Sequence, residues 1–372
     1  MTITTSTLAT NGRASSPIPS SMRALVLTAP HEHEIRDVPT PRPGPMEVLC
    51  LVEAVAICGT DLHIYEGRFP GRWPRSYPYI PGHEWSGTVV EIGPGVADIG
   101  MFAVGDRVAG TSHAGCGYCR MCTTGRYNLC ENYGKEPIHH QYGHYSQGAD
   151  AQYVVHSIKS VFKLPDEIDL PLGAMVDTAS IALHSVKRPG INAGDVAVVV
   201  GPGPMGMLTA DCALALGAAH VIITGSGERL QKALDLGFDV IDYKAEDPVA
   251  AVKARTGGKG ANVAIDTGGT LSSIRQAVDV LRKGGRVAFT GVPTEGDSAL
   301  PMQKIVLEEI DLFGVRANRN TMEEAIALIV AGRIRVKPLV THTFKLEQYG
   351  TALHTFADRV DGALKVLVYP NE

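Results

Sequence analysis

Val196-Ala197-Val198-Val199-Val200, running straight into Gly201-Pro202-Gly203-Pro204-Met205-Gly206, is the stretch that decides the fold of this chain. An unbroken apolar run dominated by valine reads as a strand covered on both faces. The helical stretch Met205–Leu216 follows, so the glycines sit at a strand–turn–helix junction. There, Gly-x-Gly-x-x-Gly permits a tight turn and lets backbone amides approach a pyrophosphate at the helix N-terminus. The motif alone is a common chance match, and the context gives it meaning. Gly201, Gly203, Pro204, Met205 and Gly206 are therefore expected to hold a dinucleotide.

Downstream, apolar runs and helical stretches take turns. His220–Thr224 leads to the helical Glu228–Leu236, and Val263–Asp266 to the helical Leu271–Leu281, before the runs Arg286–Thr290 and Ile310–Val315. Alternation of this kind predicts an α/β unit with a doubly wound parallel sheet. An acidic residue usually ends the second strand of such a unit and holds the ribose 2′-hydroxyl of NAD. Here the strand runs into Thr224-Gly225-Ser226-Gly227, with no acid until Glu228. Gly225, Ser226 and Arg229 suit a 2′-phosphate, which favours NADP slightly. NAD stays open through a shifted loop in which Glu228 does the usual work.

Upstream the texture differs. Short β-branched runs (Val48–Ile57, Ser86–Ile92, Arg107–Ala109, Ala151–Val155) alternate with turns such as Pro43-Gly44-Pro45 and Val104-Gly105-Asp106. This predicts a β-rich, barrel-like unit. The final stretch, helical over Met322–Ala331 and strand-like over Val336–Phe344 and Leu364–Tyr369, returns to that texture. The expected division is 22–187 with 318–372 as the β-rich domain and 188–317 as the dinucleotide-binding domain. Residues 1–21, rich in Ser, Thr and Pro, read as a loose extension without the apolar block of a secretory leader.

A net charge of -5 gives no footprint for nucleic acid. No apolar run approaches the ~18–20 residues needed to cross a bilayer. The expected setting is cytoplasmic. Seven cysteines, an odd number, fit reduced thiols better than a disulfide framework. Cys50 and Cys212 lie in apolar segments and read as core, as does His184.

The other four non-core thiols beyond Cys58 cluster. Cys116, Cys119, Cys122 and Cys130 can close a tetrahedron around Zn²⁺ with no open position. An iron–sulfur cluster is the rival, because the spacing of the first three cysteines suits one and the fourth cysteine does not fit. A second constellation is Cys58-Gly59-Thr60-Asp61-Leu62-His63 with Gly82-His83-Glu84. Thiolate, imidazole and carboxylate can hold Zn²⁺ while leaving room for substrate, and Asp61 is placed to orient His83.

Taken in order, CGTDLH, PGHEWSGTVVEIGPGV, GDRV, GCGYCRMC, NLC and GPGPMG make residues 22–372 resemble the zinc-containing medium-chain dehydrogenase/reductase superfamily. The nearest texture is that of threonine 3-dehydrogenase, polyol dehydrogenases of the sorbitol type and inosamine dehydrogenases. The resemblance implies a GroES-like catalytic domain with a Rossmann domain, one catalytic and one structural zinc, and NAD or NADP as cofactor. It matches Cys58 and His83 to catalytic zinc ligands, Asp177 to the third ligand, and Glu84 to a carboxylate that ligates or swings away. Cys116, Cys119, Cys122 and Cys130 match the structural zinc. Thr60 and His63 match a proton relay, while Gly268, Gly291 and Val292 match the edge of the nicotinamide pocket. Arg316 is within reach of a cofactor phosphate.

The implied reaction is hydride transfer between NAD(P) and a secondary alcohol or ketone of a small polar substrate, with zinc polarising the oxygen. A homodimer or homotetramer is implied as well. Two other readings stay open: an epimerase or dismutase that returns the hydride internally, and a cofactor-sensing protein without catalysis. The segment Lys135–Tyr145, rich in His and Tyr, departs from the family pattern. It reads most simply as a solvated loop, or else as a wall hydrogen-bonding a polyhydroxylated ring. The insertion Arg68–Tyr79, with Trp73, poses the same choice.

Overall fold

A computed structural model describes residues 17–293, 296 and 299–372. Most of the expected N-terminal extension lies outside the described residues, but Ser21 does not. It opens the strand Ser21–Ala29, which pairs with Glu32–Pro39 as a hairpin.

The run Val196–Val200 is the innermost start of a six-stranded parallel sheet. On one side lie His220–Gly225 and then Asp239–Asp242; on the other lie Ala261–Asp266, Leu281–Phe289 and Asp311–Gly314. The chain therefore winds outward in one direction, returns, and winds out in the other. The strand order reverses beside Val196–Val200, and in sheets of this kind that reversal opens a crevice at the strands' carboxyl ends. Alternate side chains explain why the strands are apolar throughout. Val199, Ile223 and Ile265 pack on one face against Met207 and Leu208, while Val198, Ile222 and Ala264 pack on the other against Val252 and Val278.

A second sheet of seven strands runs Val340–Lys345, Lys365–Tyr369, Glu47–Ala56, Glu84–Ile92, Arg107–Gly110 and Val161–Lys163, with Tyr153–Ser157 also paired to Glu47–Ala56. The C-terminal strands thus complete a sheet begun near the N-terminus. No helix of the described residues is long and apolar enough to cross a membrane.

Some boundaries move. The helix expected over Leu271–Leu281 stops at Asp279, because Leu281 pairs with Ala261 and opens the next strand. The strand expected from Val336 starts only at Val340. Pro338 has no N–H for a ladder, and Lys337–Leu339 forms a 3₁₀ turn instead. The helix Val176–Lys187, which the sequence reading left unassigned, has ten buried positions and packs against strands of both sheets, Glu84–Ile92 of one and Leu281–Phe289 of the other.

Candidate active site and metal centres

The strand Glu47–Ala56 ends just before Cys58, which caps the short helix Gly59–Tyr65. The Cys58 amide donates to Asp61 Oδ2 at 2.9 Å, fixing the thiol's backbone. Asp61 Oδ1 lies 3.3 Å from His83 Nδ1, and neither buried atom has another hydrogen-bond partner. Burial disfavours charge on both groups, but their mutual attraction outweighs it. Asp61 is held below the usual carboxylate range and His83 well above the usual imidazole one. Nδ1 being taken by Asp61, Nε2 faces Glu84, with Oε1 at 4.0 Å.

Cys58, His83 and Glu84 each offer a ligand atom within 4.8 Å of the others. Soft sulfur, imidazole nitrogen and carboxylate oxygen in one buried pocket suit Zn²⁺ with a position left over. Glu84 is anchored by its other oxygen. Oε2 accepts from Thr178 Oγ1 at 2.7 Å and from Lys365 Nζ, which also reaches the Ile57 carbonyl at 3.2 Å.

Asp177, expected as the third ligand, is not part of this set. Its Oδ1 accepts from Thr111 Oγ1 at 2.5 Å and Asn318 Nδ2 at 2.9 Å. Burial and the neighbouring Glu84 raise its pKa to about 6. The reason is position: like Glu84, Asp177 has one oxygen engaged, but its carboxylate lies outside the set of donors that come within 4.8 Å of one another.

Thr60 Oγ1 sits 3.8 Å from Cys58 Sγ, at the start of the same helix that carries His63 one turn later. His63 is half-buried, edge-on to Phe69, and burial lowers its pKa. Among the described residues no direct hydrogen bond joins Thr60 to His63.

In the Lys135–Tyr145 segment only Lys135–Ile138 are exposed; the rest turns inward. His139, Gln141, Tyr142, His144 and Tyr145 are buried. The His144 ring centre lies 4.5 Å from that of His83 and 5.0 Å from Trp73. Trp73 Nε1 in turn donates to Tyr133 Oη at 2.7 Å, which ties the Arg68–Tyr79 insertion into the same wall. His144 Nδ1 faces the Tyr142 carbonyl at 3.1 Å; a carbonyl only accepts, so Nδ1 carries the proton and Nε2 offers a lone pair. Burial, and then His83, push its pKa to about 3 and keep it neutral.

The second cluster is geometrically complete. The sulfurs of Cys116 and Cys122 are 3.9 Å apart, as are those of Cys119 and Cys130. A tetrahedron with Zn–S bonds of ~2.3 Å has edges of about 3.8 Å. One ion fits; a multi-iron cluster needs wider spacing. Backbone amides of Cys119 and Cys122 point at the sulfurs of Cys116 and Cys119, at 3.3 and 3.4 Å, stabilising thiolate.

At the glycine turn, Gly201 has φ +113°, a region that L side chains rarely adopt. A Cβ on Gly206 would meet the Gly201 carbonyl at 1.9 Å, so helix and turn touch backbone to backbone. A Cβ on Gly203 would meet only Arg229, at 3.9 Å, which leaves the cradle above Gly203 open for a dinucleotide. Pro204 opens the helix Pro204–Ala215 with Met205 in its first turn. Gly225 packs on Pro202, and Ser226 Oγ donates to Tyr243 Oη at 2.9 Å. Arg229 donates to the Ala363 carbonyl at 2.9 Å, so its guanidinium borders the turn. Glu228 faces Gly362. Gly268 donates to Asp266 at 3.1 Å, Gly291 backs onto Gly269, and Val292 is exposed. Arg316 stacks over Tyr133, its carbon 4.7 Å from the ring centre.

Lys365, Thr178 and Asn318 escaped the sequence reading, whereas His144 lay in the segment read as a solvated loop or a substrate wall. Lys365 alone left a signal: a charge inside the apolar run Ala363–Tyr369 demands a buried partner.

The alcohol dehydrogenase GroES-like domain family matches residues 44–166, and the zinc-binding dehydrogenase family matches 204–331. Sorbitol dehydrogenase of Bacillus subtilis is 32% identical, over 95% of this chain and 99% of its own. A solved zinc-binding dehydrogenase from Sinorhizobium meliloti, bound to NADP, superposes with a TM-score of 0.86 at 31% identity, covering 95% of this chain and 100% of its own. The 2R,3R-butanediol dehydrogenase of Bacillus subtilis gives 0.83 at 30% identity, over 94% and 100%.

Proposed function

Because the chain belongs to the zinc-containing medium-chain dehydrogenase/reductase superfamily, we propose that it transfers hydride between NAD(P) and a secondary alcohol or ketone of a small polyhydroxylated substrate, a polyol, cyclitol, sugar or amino alcohol. The observation that carries the substrate class is the polar wall beside the metal donors. A hydrocarbon pocket would suit a simple alcohol, whereas here His144 Nε2 presents a bare acceptor next to His83.

Cys58, His83 and Glu84 would hold the catalytic zinc, and Cys116, Cys119, Cys122 and Cys130 the structural one. When bound, the catalytic zinc supplies a Lewis acid that eases loss of the alcohol proton. Asp61 fixes the His83 tautomer so that Nε2 is free to ligate. Lys365 and Thr178 hold Oε2 of Glu84 and leave Oε1 toward the pocket. Thr60, beside Cys58, would take the proton while passing its own to the cofactor's ribose hydroxyls, and half-buried His63 would hand it on to water. Asp177 keeps Thr111 and Asn318 in place along one side.

NADP is the cofactor favoured by the acid-free end of His220–Gly225, since Glu228 is turned to Gly362. The division at residues 187/188 and 317/318 is supported by membership of the two sheets. A cytoplasmic homodimer or homotetramer completes the reading.

The test is a panel of polyols, inososes and threonine, each with NAD and NADP, followed by absorbance of the reduced cofactor. Reduction with at least one polyhydroxylated alcohol is expected. No reduction with any of them, while a simple aliphatic alcohol is oxidised, would overturn the substrate class.

A further inference from the structure

The chain leading into the strand Tyr153–Ser157 lies backbone to backbone on the loop that ends at His83. Gly148 N donates to the Ile80 carbonyl at 2.7 Å, and Ala149 N donates to the Gly82 carbonyl at 2.9 Å. Gly143 has φ +70°. A Cβ there would meet the Gly82 carbonyl oxygen at 2.4 Å and His83 Cβ at 2.7 Å. Only glycine tolerates both the backbone angle and the approach. The next residue, His144, is thereby pressed against a metal donor, its ring centre 4.5 Å from that of His83.

That contact leaves one atom without a partner. His144 spends its proton on the Tyr142 carbonyl, 3.1 Å from Nδ1, so Nε2 can only accept. The two rings packed on it have nothing to give. Trp73 commits Nε1 to Tyr133 Oη at 2.7 Å, and His83 turns Nδ1 to Asp61 and Nε2 to Glu84. Among the described residues no group donates to His144 Nε2. Such an acceptor stays costly until something bound beside it brings the donor.

We propose that His144 selects the substrate by accepting, through Nε2, a hydrogen bond from the hydroxyl on the carbon next to the reacting carbinol. An oxygen held where Cys58, His83 and Glu84 converge lies beside the His83 ring, and His144 packs on that same ring. The adjacent carbon is therefore the part of the substrate nearest the acceptor. A contact that only accepts also discriminates. A hydroxyl satisfies it, a hydrogen leaves it unpaired, and an ether or carboxylate oxygen sets lone pair against lone pair. The role of His144 in selection rests on the dehydrogenase reading above; its hydrogen bond to a diol does not.

Three small alcohols that differ only at the adjacent carbon decide it: 2,3-butanediol, 3-methoxy-2-butanol and 2-butanol. With the zinc-loaded enzyme, kcat/KM for the diol should exceed that for either analogue by about tenfold or more, the scale of one acceptor left unpaired. In His144→Phe, which keeps a ring and removes the acceptor, that ratio should collapse. His144→Gln, which sets a carbonyl oxygen near the place of Nε2, should restore part of it. Equal kcat/KM for diol and analogues in the wild type, or a ratio that His144→Phe leaves intact, overturns the selection. Loss of the catalytic zinc from both variants would make His144 a prop for His83 and overturn it as well. Calorimetry reads the same contact without turnover. Titrated into the zinc-loaded protein saturated with reduced cofactor, the diol should bind about tenfold tighter than its methyl ether, and His144→Phe should erase the difference. Failure to turn over any alcohol sinks the dehydrogenase reading, and this titration still decides the hydrogen bond, which equal binding of diol and ether overturns.

Discussion

Lys365 Nζ donates to Oε2 of Glu84 in the interior, joining the last strand of the chain to a strand whose first residue belongs to the metal pocket. Both side chains are almost wholly removed from solvent. Burial alone would strip the charge from a lysine. The Glu84 carboxylate reverses that and raises the Lys365 pKa, so the lysine keeps its charge. The catalytic pocket is therefore held shut at its back by residues far apart in sequence.

Replacing Lys365 with Met should leave the Glu84 charge buried with only Thr178 as a donor. Loss of one partner of a buried pair costs roughly 3–5 kcal/mol. Chemical denaturation of the protein stripped of its catalytic zinc should show that loss. The double variant Glu84→Gln with Lys365→Met should recover much of it, since no lone charge remains. Equal stability of the wild type and Lys365→Met would mean that the ion pair contributes nothing to the fold.

Asp61 acts on zinc through His83. In Asp61→Asn the Nδ1 proton loses its charged partner and the Cys58 amide loses a charged acceptor. Second-partner losses of this kind weaken metal binding by about 10- to 100-fold. Competition with a chelator should show one zinc leaving more readily and the other unchanged. Uniform retention of both ions would remove Asp61 from the metal's support.

The two cysteine sets should separate cleanly. Cys58→Ser is expected to drop the metal content by one ion and abolish turnover, with thermal unfolding little changed. Cys119→Ser should also lose one ion, but by unlatching the loop from Cys116 to Cys130 it should lower the unfolding temperature. Elemental analysis beside a thermal scan checks both. A Cys58→Ser protein with full activity would refute the catalytic assignment.

What the sequence disclosed follows from how locally each feature is encoded. The cysteine spacings and the glycine turn lie within a few residues, and spacing alone predicts their geometry. The alternation of buried runs and helices announces the parallel sheet. Features made by distant pairing were hidden. Lys365 meets Glu84 across 281 positions, and Asn318 meets Asp177 across 141. For that reason Asp177 looked like a ligand, although its carboxylate stands outside the group of Cys58, His83 and Glu84. The buried wall around His144 looked like a solvated loop because its composition is polar. Its imidazoles are kept inside by hydrogen bonds and stacking that composition does not show.

His156 offers a stability test away from the metal. It is fully buried, stacked on Tyr142 with ring centres 3.7 Å apart, and its Nε2 accepts from Trp85 Nε1 at 3.2 Å. That bond requires a neutral ring with the lone pair on Nε2. Burial, with His140 adding to it, pushes its pKa down to about 3. The unfolded chain takes up a proton near the ordinary histidine value of about 6.5, and the folded chain refuses it until far lower pH. Stability from this residue is thus complete above about pH 6.5 and drains away as pH falls toward 3, at about 1.4 kcal/mol per pH unit. In the wild type, the fall in stability between pH 7 and pH 5 should include that slope on top of the decline from other buried neutral histidines such as His144. In His156→Gln, where the side chain does not titrate in this range, the decline should be shallower by that amount. Parallel pH profiles for the two proteins would show that His156 is not held neutral inside the fold.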